Sequence, residues 1–159
     1  MRKLGAVYLN EGIWFLPDTA RHSAAIAEVL DEVRSEGGTG WGFRAEALRS
    51  EEREELRSRF NGARAEEYSE IGRQCERFLA HIKRETEGGH FAFTTVEELE
   101  QDLEKRKRWL LQVSERDIIG AVGRELTEVQ LQECRQALDA FAEAAFVHAS
   151  NKQQAPINK

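Results

Sequence analysis

The stretch FNGARAEEYSEIGRQCERFL, residues 60–79, constrains the fold more than any other part of the chain. Its apolar residues recur every three or four positions, which is the spacing of one face of an α-helix. They are Phe60, Ala63, Ile71, Cys75 and Phe78, and Ile82 follows them. Glu67 continues this stripe, and Arg64 and Tyr68 flank it. An acid, a base and a phenol therefore lie on or beside the packing face of the predicted helix.

The first part of the chain has the pattern of a small α/β element. Residues 6–16, AVYLNEGIWFL, are rich in β formers, and residues 10–12 either turn a hairpin or mark a bulge in one longer strand. Asp18 or Thr19 caps the helix that follows, and Gly37 with its neighbouring glycine ends it.

A second strand is expected at residues 39–48, TGWGFRAEAL, through Trp41 and Phe43. The predicted order of elements in residues 1–48 is therefore strand, helix, strand. We expect this layer to leave apolar surface or a strand edge uncovered near residues 7–16, and the protein to associate through it.

From residue 49 the pattern is that of an antiparallel helical bundle, 49–149, followed by a flexible tail, 150–159. A helix over residues 50–87 would be about 55 Å long, too long for a compact domain of this size, so a break or kink is expected near Asn61. Two capping boxes open further helices, predicted at 95–118 and 127–149. They are Thr95 with Glu98, and Thr127 with Gln130. The fold class is therefore α+β and mostly helical.

Polar residues also interrupt the packing face of the second bundle helix, where Arg106 lies between two leucines of the stripe. Two interpretations stay open for the combined set. Either it is a buried polar network that fixes helix register, or it lines a cavity in which arginines bind an oxyanion. In both, Arg64 and Arg106 are expected to approach, each paired with an acid such as Glu67 or Asp117. The set comprises Arg64, Glu67, Tyr68, Arg106, Arg116 and Asp117.

The only dense basic run is EKRKRW, residues 104–109. Lys105, Lys107 and Arg108, with Trp109 beside them, are candidates for contact with nucleic acid. Asp102 precedes Arg106 and Glu104 precedes Arg108 by four residues, so the alternative is a set of ion pairs along one helix.

Composition excludes several classes of function. The formal net charge of −6 disfavours non-specific binding to nucleic acid. Apolar runs are too short to span a membrane, and the two cysteines are expected to be buried free thiols in a reducing cytoplasm. The four histidines have no metal-ligand spacing, no phosphate-binding loop is present, and no nucleophile has a recognisable base. We therefore predict no cofactor, no metal and no enzymatic activity.

Several stretches, in their order and spacing, resemble the N-terminal domain of ChrB, the chromate-resistance regulators of bacteria. They are LGAVYLNEGIWFLPD, the GG pair before residue 39, the F-x-x-A-R-x-E-E-Y-x-E-I pattern from Phe60, and DLEKRKRWLLQVSERDIIG. The resemblance covers most of residues 4–149. It implies a cytoplasmic protein that is linked to chromate resistance, often as a chromate-responsive transcriptional regulator. On the family pattern, recurring polar and aromatic positions are occupied by Arg64, Glu67, Tyr68, Lys105, Trp109, Arg116 and Asp117.

The chain departs from the family pattern in two places. A strand, a Pro-Ser turn and a helix with Arg and Trp usually precede LGA, and a C-terminal domain often follows. Relative to the family, the α/β element 1–48 is then expected to be truncated. Functions that the family assigns to the preceding or following parts are not carried over to this chain. The expected function is a regulatory or sensor module of chromate resistance, with chromate as a possible oxyanion effector and a homo-oligomeric state. The alternative is a helical dimerisation module with a structural polar network and no ligand.

Overall fold

A computed structural model describes residues 1–154, with the side chains of residues 1–151. These residues form one short 3-10 turn, one antiparallel hairpin and four helices. In chain order the elements are the turn Arg2–Leu4, strands β1 (Val7–Asn10) and β2 (Ile13–Phe15), and helices α1 (Ala20–Ser35), α2 (Ser50–Glu87), α3 (Phe93–Arg116) and α4 (Arg124–Gln154). The predicted class, mostly helical α+β, is confirmed.

The chain forms two compact units. The first comprises Met1–Arg64 and Arg116–Ala121, and the second comprises Ala65–Glu115 and the chain from Val122 onward. Helix α2 therefore supplies its first part to one unit and its remainder to the other. The domain boundary expected after residue 48 stays a prediction.

The hairpin is the first of the two arrangements that the sequence left open for residues 6–16. Glu11 and Gly12 both have positive φ, 44° and 87°, as a tight turn that follows the twist of the strands requires. Val7 pairs with Phe15 and Tyr8 with Trp14, and the last two rings lie 5.0 Å apart. The hairpin interpretation is therefore confirmed.

The second strand expected at residues 39–48 is wrong. Within residues 1–154 the only strands are β1 and β2, and residues 39–48 have no regular structure. Glycines alternate with the aromatic residues here, and glycine weakens a strand because it contributes no side chain to pack. The segment lies against α1 instead: a Cβ atom added to Gly40 would come within 2.8 Å of Leu30.

Helix α1 begins and ends at the predicted signals. The Thr19 hydroxyl accepts a hydrogen bond from the backbone N–H of His22 at 3.1 Å, so Thr19 is the cap. At the other end Gly37 has a φ of 79°, and the N–H of Gly38 donates to the Val33 carbonyl at 2.8 Å.

The break expected near Asn61 is absent, because α2 is helical throughout its 38 residues. A break is required only if one compact domain contains the whole helix. Helix α2 instead contributes its first part to one compact unit and its remainder to the other. Exposed ion pairs such as Arg59 with Glu55, 2.7 Å apart, line the first half of the helix.

In the second unit, two side chains of α4 reach backbone carbonyls of α2 at successive levels. The Thr127 hydroxyl lies 3.3 Å from the Tyr68 carbonyl oxygen, and the Cys134 thiol donates to the Cys75 carbonyl at 3.6 Å. Both pairs are 59 residues apart in sequence, so α2 and α4 run parallel to each other along this contact. Gly72 permits the close approach, since a Cβ there would meet the Gln130 side chain at 2.7 Å.

The ends of α3 and α4 differ from the prediction. Both helices start before their expected caps, so Thr95 and Thr127 lie inside the first turns. The Thr127 hydroxyl bonds the Gly123 carbonyl at 2.8 Å, one turn earlier, rather than capping the helix. Helix α4 continues to Gln154, five residues into the predicted flexible tail, and residues 155–159 lie outside the described part of the chain.

Two glycines in open space give opposite predictions for substitution by alanine. Gly62 lies inside α2 and Gly12 lies in the hairpin turn at positive φ, and neither has an atom within 4 Å of an added Cβ. Gly62→Ala should stabilise the protein by about 0.5–1 kcal/mol, because alanine is the better helix former. Gly12→Ala should destabilise it by about 1 kcal/mol, because the turn forces the left-handed conformation. Urea denaturation midpoints measure both, and a loss of stability in Gly62→Ala would contradict a continuous α2.

Candidate functional site

Arg64 is the most deeply buried cation of the described residues, with 5% of its surface exposed. Its Nη1 donates a hydrogen bond to the Gly5 carbonyl at 3.1 Å. Its guanidinium also lies 5.4 Å from the centre of the Phe60 ring, which itself packs against Phe15. A backbone dipole and an aromatic face thus stabilise the buried charge.

The turn that carries Gly5 is shaped around this arginine. Gly5 has a φ of 81°, and a Cβ there would lie 2.5 Å from Arg64 Nη1 and 3.1 Å from the Arg116 side chain. Glycine is therefore required both by conformation and by space. Arg116 is the last residue of α3, and Asp117 follows it: its carboxylate accepts from the backbone N–H groups of Gly120 and Ala121, at 3.0 and 2.9 Å.

The second unit holds the other three residues of the predicted set. Tyr68 has no exposed surface, and its Cβ lies 3.2 Å from the position of an added Cβ on Gly123. Glu67, its neighbour in sequence, is half-buried. Tyr68 therefore serves the close packing of α2 with the start of α4, through its backbone carbonyl as well as its ring.

Arg106 is held mainly by its own helix and by an aromatic ring. Its side chain is 13% exposed, pairs with Asp102 at 3.6 Å and lies 5.0 Å from the centre of the Phe78 ring. The acid partner is thus the residue one turn earlier, not Glu67 or Asp117 as expected.

The six predicted residues consequently form two groups. Arg64, Arg116 and Asp117 belong to the first compact unit, and the other three belong to the second. A functional role for the set as one site stays a prediction.

The basic run of α3 is engaged by acids. Lys105 pairs with Asp102 at 3.3 Å and Lys107 with Glu104 at 2.9 Å. The hydrogen bond from Lys107 holds the pKa of the Glu104 carboxyl below its ordinary value. Arg135 of α4 also reaches Glu104, at 3.0 Å. Arg108 is exposed and donates to the Glu104 carbonyl, while Trp109 is half-buried. The ion-pair interpretation describes these contacts, and contact with nucleic acid stays a prediction.

Residues 39–48, the stretch predicted as a second strand, are a further feature, which we call the aromatic segment. Trp41 is 76% exposed and Phe43 is 85% exposed, whereas the two glycines that alternate with them, Gly40 and Gly42, face Leu30 and Ile26 of α1. The usual pattern of a half-buried segment, with large residues inside, is inverted. The alternation of glycine with tryptophan and phenylalanine in TGWGF is the sequence signal for this arrangement.

The aromatic segment and α1 also border a cavity of about 330 Å³ in the first unit. Its polar side is formed by Arg44, which lies 3.5 Å from Asp18 and 3.3 Å from the Ser23 hydroxyl. His22 is buried at one end, with its Nδ1 2.8 Å from the Pro17 carbonyl. Polar groups at the middle of the segment thus face α1, while its aromatic side chains face solvent.

These observations define the class of the protein: a mostly helical α+β chain with a buried arginine, and with no helix among residues 1–154 that is long and apolar enough to cross a bilayer. The family model described as Protein ChrB, N-terminal, matches residues 1–152. The chain belongs to the ChrB N-terminal family and is thereby a regulatory protein related to chromate resistance. The resemblance seen in the sequence is confirmed. No curated protein and no solved structure matches the chain.

A substitution at Arg64 tests whether its burial is structural. Arg64→Met retains much of the volume over Phe60 and removes the hydrogen bond to the Gly5 carbonyl. We expect a loss of about 1–3 kcal/mol in the free energy of unfolding, because a buried carbonyl loses its partner.

The matched control is Arg73→Met on the same helix. Arg73 is half-exposed, and its partners Glu66 and Glu70 are surface carboxylates, so we expect a smaller loss than for Arg64→Met. Equal losses in the two variants, measured by urea denaturation, would mean that the buried contacts of Arg64 contribute no more than surface ion pairs.

Proposed function

We propose that the chain is an interaction module of chromate-resistance regulation, which pairs with a second copy of itself through the aromatic segment. The observation that carries the proposal is the outward direction of Trp41 and Phe43 from a segment whose glycines face the protein. Exposing two large aromatic rings is unfavourable in water, and such clusters mark contact surfaces. Tryptophan and phenylalanine are also enriched in the centres of protein interfaces.

The backbone of the aromatic segment supports the same proposal. Among the described residues, no backbone–backbone hydrogen bond involves residues 39–48. The segment therefore offers N–H and C=O groups that another extended chain can pair with, as an edge strand does.

Charges within the segment favour a second copy as the partner. Arg44 and Glu46 are two residues apart, so an antiparallel pair centred on Ala45 places each Arg44 opposite the Glu46 of the other copy. A two-fold contact of this kind repeats each favourable pair twice. The present partners, Asp18 for Arg44 at 3.5 Å and Arg53 for Glu46 at 3.6 Å, form exposed ion pairs that cost little to exchange.

Chromate binding by Arg64 and Arg106 has less support. The guanidinium of Arg64 is directed at a backbone carbonyl and a ring, and that of Arg106 at an acid and a ring. An incoming oxyanion would have to replace these contacts inside the protein. The contacts favour the interpretation of the set as a structural polar network.

Sedimentation velocity over a range of protein concentrations tests the association. We expect a dimer for the wild-type chain and a monomer for the double variant Trp41→Ser, Phe43→Ser, because the double variant loses most of the aromatic area that pairing would bury. Phe146→Ser is the matched control, since Phe146 is a ring on α4 with 65% of its surface exposed.

Ile13→Ser separates this interface from one at the hairpin, where Ile13 is 57% exposed. A wild-type chain that stays monomeric at high concentration would contradict the proposal. So would dissociation by Ile13→Ser with no effect of the double variant, which would move the interface to the region expected from the sequence.

Thermal unfolding with added sulfate tests the weaker candidate. Sulfate has the charge and tetrahedral shape of chromate and does not oxidise thiols. Because the arginines are already engaged, we expect sulfate to raise the melting temperature of the wild type and of Arg106→Met by the same small amount. A concentration-dependent rise that Arg106→Met abolishes would instead favour an oxyanion site, since a bound ligand stabilises the folded state.

A further inference from the structure

The core of the second unit contains two cysteines in contact. Cys75 of α2 and Cys134 of α4 have no exposed surface and are free thiols. The Cys134 thiol donates to the Cys75 carbonyl oxygen at 3.6 Å, which places the two cysteines at the same level of the α2–α4 contact. Two free cysteines packed only for their volume would not have to meet at the contact between two helices.

The electrostatics of the two thiols differ. The hydrogen bond from Cys134 lowers the pKa of Cys75, and the positive charge of Arg106 acts in the same direction, against burial and the carboxylates of Glu133 and Glu76. The pKa of Cys134 is raised, first by its hydrogen bond to Cys75 and then by burial. Of the two thiols, Cys75 therefore has the lower pKa and loses its proton more readily.

The positive charge of Arg106, on α3, acts on both thiols. Burying a guanidinium in an apolar core is costly, and the Nε of Arg106 is buried with no hydrogen-bond partner among the described residues. Its ion pair with Asp102 joins Nη1 to the carboxylate at 3.6 Å, and Asp102 is half-exposed. A thiolate at Cys75 would give this charge a partner inside the core.

We propose that Cys75 and Cys134 are a redox-active dithiol, which a peroxide oxidises to a disulfide that joins α2 to α4. The Cys75 thiolate attacks one peroxide oxygen, the O–O bond breaks, and hydroxide leaves and takes up the proton released by the thiol. The sulfur of the resulting sulfenic acid is then attacked by Cys134, the S–O bond breaks, and a second water leaves with the Cys134 proton. In sum, two thiols and one hydrogen peroxide give one disulfide and two waters.

Burial of both thiols controls the rate of this reaction. Peroxide reaches them only when α4 moves locally away from α2, so oxidation of the folded protein is slower than that of an exposed thiol. Once formed, the disulfide replaces the hydrogen bond from Cys134 to the Cys75 carbonyl by a covalent link at the same level.

The test is to treat the folded, reduced chain with hydrogen peroxide, alkylate the remaining thiols, and measure the intact mass and the mobility on non-reducing gels. We expect a monomeric product about 2 Da lighter that takes up no alkylating agent and is reversed by dithiothreitol. Cys75→Ser and Cys134→Ser should each lose this product.

Charge-retaining and charge-removing variants of Arg106 separate a redox role from packing. Arg106→Lys should retain most of the oxidation rate, and Arg106→Met should slow it several-fold. Arg108→Met, an exposed position on the same helix, should leave the rate unchanged. The proposal is overturned if both thiols of the folded chain stay reduced in peroxide, if only intermolecular disulfides form, or if Arg106→Met oxidises at the wild-type rate. None of these outcomes depends on association through the aromatic segment.

Discussion

The burial of the Arg64 guanidinium is the constraint on which the first unit depends. A charge that is 95% removed from solvent must be met by fixed dipoles or rings, because desolvation is otherwise too costly. The Gly5 carbonyl and the Phe60 ring meet it here. This requirement explains the left-handed turn at Gly5, since any side chain at that position would occupy the space of the guanidinium. The start of β1 follows directly from that turn, so a single buried charge positions the hairpin.

The second unit depends on a different interaction, the close approach of α2 and α4. Thr127 and Cys134 each reach a carbonyl oxygen of α2, and Gly72 leaves room between them. Helix carbonyls are already hydrogen-bonded within their own helix, so these additional contacts require short side chains and small neighbours. Thr127, Cys134 and Gly72 are small residues placed where a leucine would hold the helices apart. The same closeness brings the two thiols together.

The sequence predicted which faces of the helices are buried, and could not predict what covers them. Helical periodicity placed Arg64 and Tyr68 beside the packing face, and both are buried. The partner of Arg64 is a carbonyl 59 residues away in a turn, and no periodicity identifies such a partner. The expected break near Asn61 failed for a related reason. It assumed one compact body, and the pattern of α2 does not reveal that the helix contributes to two. The expected strand at residues 39–48 failed because β formers alternate there with glycines, which direct the aromatic residues outward.

In this chain the buried charged residues are explained by folding, whereas the exposed aromatic residues are not. Charged residues on a packing face attract attention as a ligand site, yet Arg64 and Arg106 each have a ring and a polar group in contact, which is what folding alone demands of a buried cation. Trp41 and Phe43 attract less attention because aromatic residues are expected in a core. Their exposure satisfies nothing within the chain, and folding alone gives no reason for it. A residue whose environment is already complete is explained by the fold. A residue whose environment is incomplete, as for these two rings in water, points to an interaction that the fold by itself does not supply.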